Sequence, residues 1–247
     1  MTVAAVYMPK VSIITVTYQA GERLAATIQS VMGQTYRNRE FIVVDGGSTD
    51  ETVVLVNRYR RVIDRFCSEP DEGIYDAMNK GLAMTAPDSD YVIFMNAGDV
   101  FCNHVVLEAI LPGRQGDGHL YGNLHKDGQL VRQPARLTDY YMSTRMICHQ
   151  TVLFATRLHR QVPYDCRYSI SADFKAILEM RERGHTFEKV EQAICKYEGG
   201  GVSERQRQEL LRQRAEILRA YPRLWRMYRG KMFLRRCLPA RNQLRMR

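Results

Sequence analysis

Five short segments of this chain place carboxylates, amides or an imidazole directly after apolar runs, where a backbone turn would present them to a ligand. In Val44–Thr52, VDGGSTDET, two consecutive glycines permit a sharp turn and close approach of a ligand to the backbone. Ser48 and Glu51 have the spacing of a capping box. Asp45 then stands at the end of an apolar run, where it accepts from a nucleobase N–H or a ribose hydroxyl, or simply stabilises an acidic turn. Met95–Asp99, MNAGD, offers Asn96 and Asp99. His149 in CHQ is a metal ligand, a sugar contact or a structural residue. Asp173 in SADF falls in the first turn of a helix, where the helix dipole stabilises its charge. The segment Ser68–Leu82, SEPDEGIYDAMNKGL, reads as a helix with Ile74, Ala77, Met78, Gly81, Leu82 and Thr85 on one side. Glu72, Asp76, Asn79 and Lys80 lie on the other. Asp71 is its candidate N-cap, and Asp76 with Lys80 forms an i, i+4 pair of a few tenths of a kcal/mol.

Strand–helix alternation positions these segments. VSIITVT (11–17) is β-branched and nearly continuous, as a strand buried on both faces is. Glu22–Gln34 repeats apolar residues at helical spacing. EFIVVD and DETVVLVNRYRRV supply a second strand and helix, RFCSEP a third strand, and DYVIFMNAGD a fourth. This order predicts βαβ units and a mostly parallel sheet with helices on both faces. Ligands of such sheets sit at the carboxyl ends of the strands, where Thr15–Gln19, Asp45–Asp50, Ser68–Asp71 and Asn96–Asp99 fall. Beyond Phe101 the pattern predicts a hairpin turning at Asp127-Gly128 and a strand carrying His149 and Gln150. A serine-capped helix then ends near Gly184, and the glycine-rich EGGGVSERQ marks a lid or a hinge.

The composition is that of an ordinary globular protein, with 45% hydrophobic and 26% charged residues in 247. Six cysteines without CxxC or metal-ligand spacing indicate reduced thiols, not a disulfide frame. The N-terminal MTVAAVYMPK lacks a basic region before its apolar residues, and no run reaches bilayer length. A cytoplasmic protein, soluble or peripheral on a membrane, is expected. The charge is concentrated. From Glu204 to Arg247 fourteen Lys or Arg face three acids, although the whole chain carries +9, so the preceding residues are slightly acidic. The parts expected are 1–100, 101–203 and a basic amphipathic helical tail over 204–247. In the tail, Trp225, Phe233 and leucines among arginines fit the interface of an anionic membrane. Binding of nucleic acid and packing of the helices on the domain compete with that reading.

SIITVTYQAGERLAATIQSVMGQTY, FIVVDGGSTDET, SEPDEGIYDAMNKG and FMNAGDVF, followed by CHQTVLF and SADFKAIL, occur in the order and spacing of family 2 glycosyltransferases. The resemblance covers about four-fifths of the chain, and SEPDEGIYDAMNKG is most similar to the bacterial exopolysaccharide branch, including the colanic acid type. It implies an α/β GT-A fold and inverting transfer of a sugar from a nucleotide-sugar donor, most simply a UDP-sugar. The acceptor implied is a glycan or a polyprenyl-diphosphate-linked glycan, and the location is the inner face of the plasma membrane. It makes 1–100 the nucleotide-sugar-binding half and 101–203 the acceptor-binding half with the catalytic base. It places Thr15 and Asp45 at the nucleobase and Tyr18, Glu69, Asp71, Asp76, Asn79, Lys80 and Asn96 along the nucleotide sugar, and sets Lys80 at the diphosphate or ribose. Asp99 stands where the family holds a divalent metal, Mn2+ or Mg2+, with His149 a further candidate ligand. Asn96 and Gly98 occupy positions where further carboxylates are common, although one or two carboxylates with phosphate and water suffice for Mg2+. Asp173 matches the family's general base. Nucleotidyl transfer would need a glycine-rich basic loop near the first strand, where only Arg23 stands. A weakly catalytic nucleotide- or nucleic-acid-binding protein is the third alternative.

Overall fold

A computed structural model describes residues 5–197 and 205–237. Its sheet begins with β1 (Val11–Thr17), every residue of which is buried. Ile14 and Val16 enter one apolar cluster, while Val11 and Ile13 enter another on the opposite face. β2 (Arg39–Asp45), β3 (Arg65–Ser68) and β4 (Tyr91–Phe94) join in the order β3-β2-β1-β4, all parallel. The returning helices are α1 (Glu22–Met32), α2 (Thr52–Arg58) and α3 (Ile74–Ala83). The register sets Thr17 opposite Asp45 and Asp45 opposite Ser68. The backbone after β4 continues beside β1, Ala97 N donating to Val16 O at 3.1 Å. Four strand ends therefore lie level. At about 4.8 Å per strand they form an edge roughly 14 Å long.

The second half is mixed. It comprises β5 (Val100–Phe101), α4 (Val106–Ile110), β6 (His119–Lys126), β7 (Gln129–Val131) and α5 (Asp139–Thr144). β8 (Val152–Ala155), α6 (Thr156–His159), α7 (Ala172–Glu182) and β9 (Phe187–Tyr197) follow. The sheet continues β4-β8-β6-β9-β5 with β7 on β6, and only the β6–β9 pair in this part is parallel. The hairpin turns at Asp127 and Gly128, both at positive φ (50° and 75°), as a two-residue loop demands.

Several local expectations are corrected. His149 and Gln150 lie on a 3-10 turn, His149–Thr151, ahead of β8, not on the strand. The capping box does not form: α2 starts after Glu51 without a side-chain cap, because the Ser48 hydroxyl is drawn to Asp45. Asp71 does not cap α3 either. Gly73 occupies the N-cap at φ 119°, Asp71 Oδ1 accepts from Gly73 N at 2.9 Å, and Asp76 Oδ2 reaches back to Glu72 N at 3.1 Å. Ser171 precedes α7 without a side-chain capping bond. The glycine-rich stretch 198–204, expected as lid or hinge, falls outside the described residues.

The tail forms α8 (Arg207–Arg219) and α9 (Pro222–Cys237), broken at Pro222. It packs on the domain. Ile217, Leu218 and Leu224 are buried in the same cluster as Phe94, Phe154 and Phe174, and Trp225 and Tyr228 pack against that cluster. Arg223 pairs with Asp139 at 3.0 Å. The tail residues Leu211, Met232, Phe233 and Leu234 remain exposed. Among the described residues no helix is long and apolar enough to cross a membrane.

Candidate active site

At the β2 end, Asp45 is 1% exposed. Its carboxylate accepts from Ser48 N (3.0 Å), Ser48 Oγ (2.5 Å) and Ser68 Oγ (2.7 Å). Ser48 Oγ in turn accepts from Gln19 N at 2.9 Å. Asp45 thus knits the loops after β1, β2 and β3, filling most of its lone-pair sites. Thr15 is corrected: it is buried in the sheet, and its hydroxyl is already spent on Met95 O, to which it donates at 2.7 Å. Thr17, two residues later and level with Asp45, lies in the strand-end segment Thr15–Gln19 without having been named as a binding residue. Its buried Oγ1 has no partner. Its only sequence signal is its position as the last residue of the β-branched run. Tyr18 is 63% exposed. A Cβ on Gly46 would meet the Asp71 carboxylate and lie 3.4 Å from the Tyr18 ring. Tyr18, Gly46 and Asp71 therefore share one small area of the rim.

On α3, Lys80 Nζ lies 2.9 Å from Glu69, 3.3 Å from Asp76 and 2.9 Å from Pro70 O. These partners neutralise its charge and raise its pKa, Glu69 foremost. Glu69, Asp76 and Lys80 form one cluster rather than three independent ligand contacts. Asn79 is corrected more firmly: its amide closes a two-way bridge to the Tyr164 backbone, at 2.8 and 2.9 Å, and is spent on holding that loop.

Beyond β4, Asn96, Asp99, His149, Gln150 and Asp173 meet. His149 Nδ1 is 3.1 Å from Asp173 Oδ2, and Nε2 is 3.3 Å from Asn96 Nδ2. Gln150 Nε2 donates to Asp99 Oδ2 at 3.2 Å. Asp173 Oδ1 accepts from Tyr75 OH (2.9 Å) and Phe174 N (2.8 Å). Burial alone would raise the Asp173 pKa, but His149 and Tyr75 overcome it and hold the carboxyl below its usual range. Burial raises that of Asp99 instead, His149 and Gln150 offsetting only part. Tyr75 and Gln150 were not singled out from sequence, although both lie inside the motifs that were, GIYDAMNKG and CHQ. Three donors leave Asp173 about one open lone-pair direction for a further hydroxyl.

The residues also fit a divalent cation. Asn96 Oδ1 is buried without a partner, Asp99 supplies a carboxylate, and His149, donating from Nδ1 to Asp173, turns its Nε2 lone pair to the Asn96 amide, a contact that a cation would have to replace. A carboxylate behind a ligating histidine is the usual second layer of a metal site. Among the described residues no cluster of three His, Cys, Asp or Glu is present, so such a site would draw on Asn96 and on ligand oxygens.

Comparison with known proteins agrees with this arrangement. The sequence model described as "Glycosyl transferase family 2" matches residues 12–172. An uncharacterised glycosyltransferase of Mycobacterium tuberculosis is 30% identical over 228 residues, covering 87% of this chain and 86% of that protein. A PGL/p-HBAD biosynthesis glycosyltransferase of Mycobacterium bovis is 30% identical over 177 residues, covering 67% of each. Among solved structures, S. aureus TarS 1–349 in complex with UDP superposes with a TM-score of 0.68 at 17% identity, covering 95% of this chain and 77% of that one. The Pyrobaculum calidifontis mannosyltransferase PcManGT, in complex with GDP-Man and Mn2+, gives 0.67 at 17% identity, covering 93% and 70%. At that identity the two structures establish the fold.

Proposed function

We propose, from the premise that the chain belongs to family 2 of the glycosyltransferases, that it transfers one sugar with inversion from a nucleoside diphosphate sugar to a surface-glycan acceptor. The observation that carries the reading is the row of strand ends. Thr17, Asp45 and Ser68 lie at one end, and Asn96, Asp99, His149 and Asp173 lie at the other. The first group suits a nucleoside, with Tyr18 and Asp71 at its rim. The second suits the diphosphate, the sugar and the attacking hydroxyl. UDP-, UDP-GlcNAc- and GDP-Man-bound neighbours support a nucleotide-sugar donor, with a UDP-sugar the first choice.

Asp173 is the general base. Ionised by its donors, it accepts the acceptor hydroxyl's proton as that oxygen bonds to the anomeric carbon, a contribution of about 10²–10⁴ in rate. Tyr75 and the Phe174 N–H fix its orientation, and His149 bridges it to Asn96. Asn96, Asp99 and His149 would hold Mn2+ or Mg2+, which supplies positive charge for the departing diphosphate. The acceptor class, a glycan or polyprenyl-diphosphate-linked glycan of a bacterial surface polysaccharide, draws support from the mycobacterial PGL relative and from motif resemblance to the exopolysaccharide branch. The divisions 1–100, 101–203 and 204–247 are kept as functional parts, with one sheet running through the first two. Membrane contact, at the cytoplasmic face, is narrowed to the exposed Met232, Phe233 and Leu234 with neighbouring arginines, since Trp225 is committed to the fold.

The test is a panel of UDP-, GDP- and other nucleotide sugars with and without Mn2+, read by donor hydrolysis and thermal stabilisation. Selective stabilisation by one nucleotide sugar supports the transferase. A preference for bare triphosphates, or for nucleic acid alone, overturns it.

A further inference from the structure

The arginines of α8 are not alike. Arg212 faces outward, paired with Glu209 at 2.6 Å and Glu216 at 3.1 Å. Arg214, two residues on, turns inward. Its guanidinium carbon lies 5.3 Å from the centre of the Phe174 ring, the residue following Asp173. Its Nε is buried without a hydrogen-bond partner. Among the described residues it has neither an ion pair nor a hydrogen bond, and the residue is partly exposed. Burial lowers its pKa, and the negative charge of Asp173 offsets only part of that.

The placement is enforced. Buried Gln213 accepts from Ile170 N at 3.1 Å and donates to Ser169 Oγ at 3.0 Å and Glu209 at 2.8 Å. These bonds lock α8 to the segment that leads into α7 and Asp173. Ile217 and Leu218 anchor the next turn in the core. A guanidinium withdrawn from water without a counter-ion is unfavourable, and a ring face offsets only part of that. Packing on Phe174 alone would be served as well by methionine. A free planar fork beside the reacting carboxylate is suited to bidentate binding of phosphate.

We propose that Arg214, delivered by the C-terminal helix, is a phosphate-binding residue of the active site, gripping a phosphate of a reactant seated beside Asp173. The inference rests on the transferase reading and deepens it. The phosphate belongs either to the donor's diphosphate or to a diphosphate-linked acceptor, and the chemistry is the same. The tail is then part of the enzyme's catalytic apparatus as well as a packed extension.

The test compares full-length protein with Arg214→Met, and with Arg214→Gln, which keeps a planar polar group over Phe174. Calorimetric titrations use uridine, UDP, GDP and inorganic pyrophosphate. Steady-state assays use a diphosphate-linked acceptor against a neutral alkyl glycoside. If the donor phosphate is bound, both variants lose about tenfold or more in affinity for UDP or GDP and for pyrophosphate, while uridine binding is unchanged. If the acceptor phosphate is bound, nucleotide affinities hold and KM rises by a similar factor for the diphosphate-linked acceptor only. Variants that bind every probe and turn over both acceptors as the parent does overturn the inference, whatever their melting temperature. Equal losses across charged and neutral probes also overturn it, marking Arg214 as structural. A parent protein that binds no nucleoside diphosphate defeats the transferase reading and the inference together.

Discussion

Removing the tail from Arg205 onward should collapse the catalytic domain rather than release it as a soluble enzyme. Ile217, Leu218 and Leu224 are 2%, 1% and 3% exposed, and each fully buried aliphatic side chain contributes about 1.5–3 kcal/mol. The three together contribute about 5–9 kcal/mol, an upper figure because unfolded chains already bury some apolar surface. That is comparable with the whole stability of a typical domain, about 5–15 kcal/mol. Loss of Gln213 also leaves the buried Ile170 N–H without its acceptor. The assay is gel filtration and thermal unfolding of chains ending before Arg205, alongside full-length Leu218→Ala. The point variant should lose about 2–5 kcal/mol, at about 2–4 °C of melting temperature per kcal/mol for a domain of this size. The truncated chain should aggregate and bind apolar dyes. A monomeric truncated protein with the parent's melting temperature would refute the reasoning and return the tail to a detachable tether.

Asp99→Ala should abolish Mn2+-dependent transfer and leave the unfolding free energy within about 1 kcal/mol of the parent's, because burial already disfavours its charge; full activity at low Mn2+ would place the metal elsewhere. Asp173→Asn should lower turnover by about 10²–10⁴ with donor affinity nearly intact, and a loss confined to affinity would reassign Asp173 to binding. Burial depresses His119 to about 3 and His159 to about 4, so the unfolded state binds more protons below about pH 6.5. Stability should therefore fall as pH drops from about 6.5 toward 4, by up to about 1.4 kcal/mol per pH unit for each histidine; a flat melting temperature across that window would contradict the burial. Replacing Met232, Phe233 and Leu234 by serine should weaken sedimentation with anionic vesicles while sparing donor binding, and unchanged sedimentation would remove α9 from any membrane role.

The parallel half of the sheet was legible because burial on both faces leaves a near-continuous apolar run, and β1, β2 and β4 show one. The mixed half was less so. His149 and Gln150 sit in an apolar context that reads as strand, yet a 3-10 turn satisfies the local backbone, with Thr151 N bonded to Cys148 O at 3.0 Å. The capping box failed for a comparable reason. Ser48 had a better acceptor in Asp45, which lies upstream on β2 and outside the capping pattern. The tail misled through composition. Its arginines are conspicuous in sequence, whereas the burial of Ile217, Leu218 and Leu224 depends on a hydrophobic groove formed by elements far upstream.

Legibility of the site followed the same division between local and long-range causes. Asp45, Asp99 and Asp173 are recognisable because each stands at an element boundary, where a turn must present a polar group. What each one does depends on partners distant in sequence. Asp45 holds Ser48 and Ser68 together, and a carboxylate so occupied shapes the loops after β2 and β3 before it contacts anything. Asp173 is tuned by Tyr75, 98 residues away, and by His149, 24 residues away. Asn79 and Lys80 show the converse: polar residues on the expected helix face, each already taken by a protein partner. A motif identifies which residues reach the cleft edge, but only the satisfied and unsatisfied hydrogen bonds separate those that build the site from those left open to a ligand. By that criterion Thr17 Oγ1, Asn96 Oδ1 and Arg214 Nε, buried without partners, are the groups on which the proposed reading makes its demands.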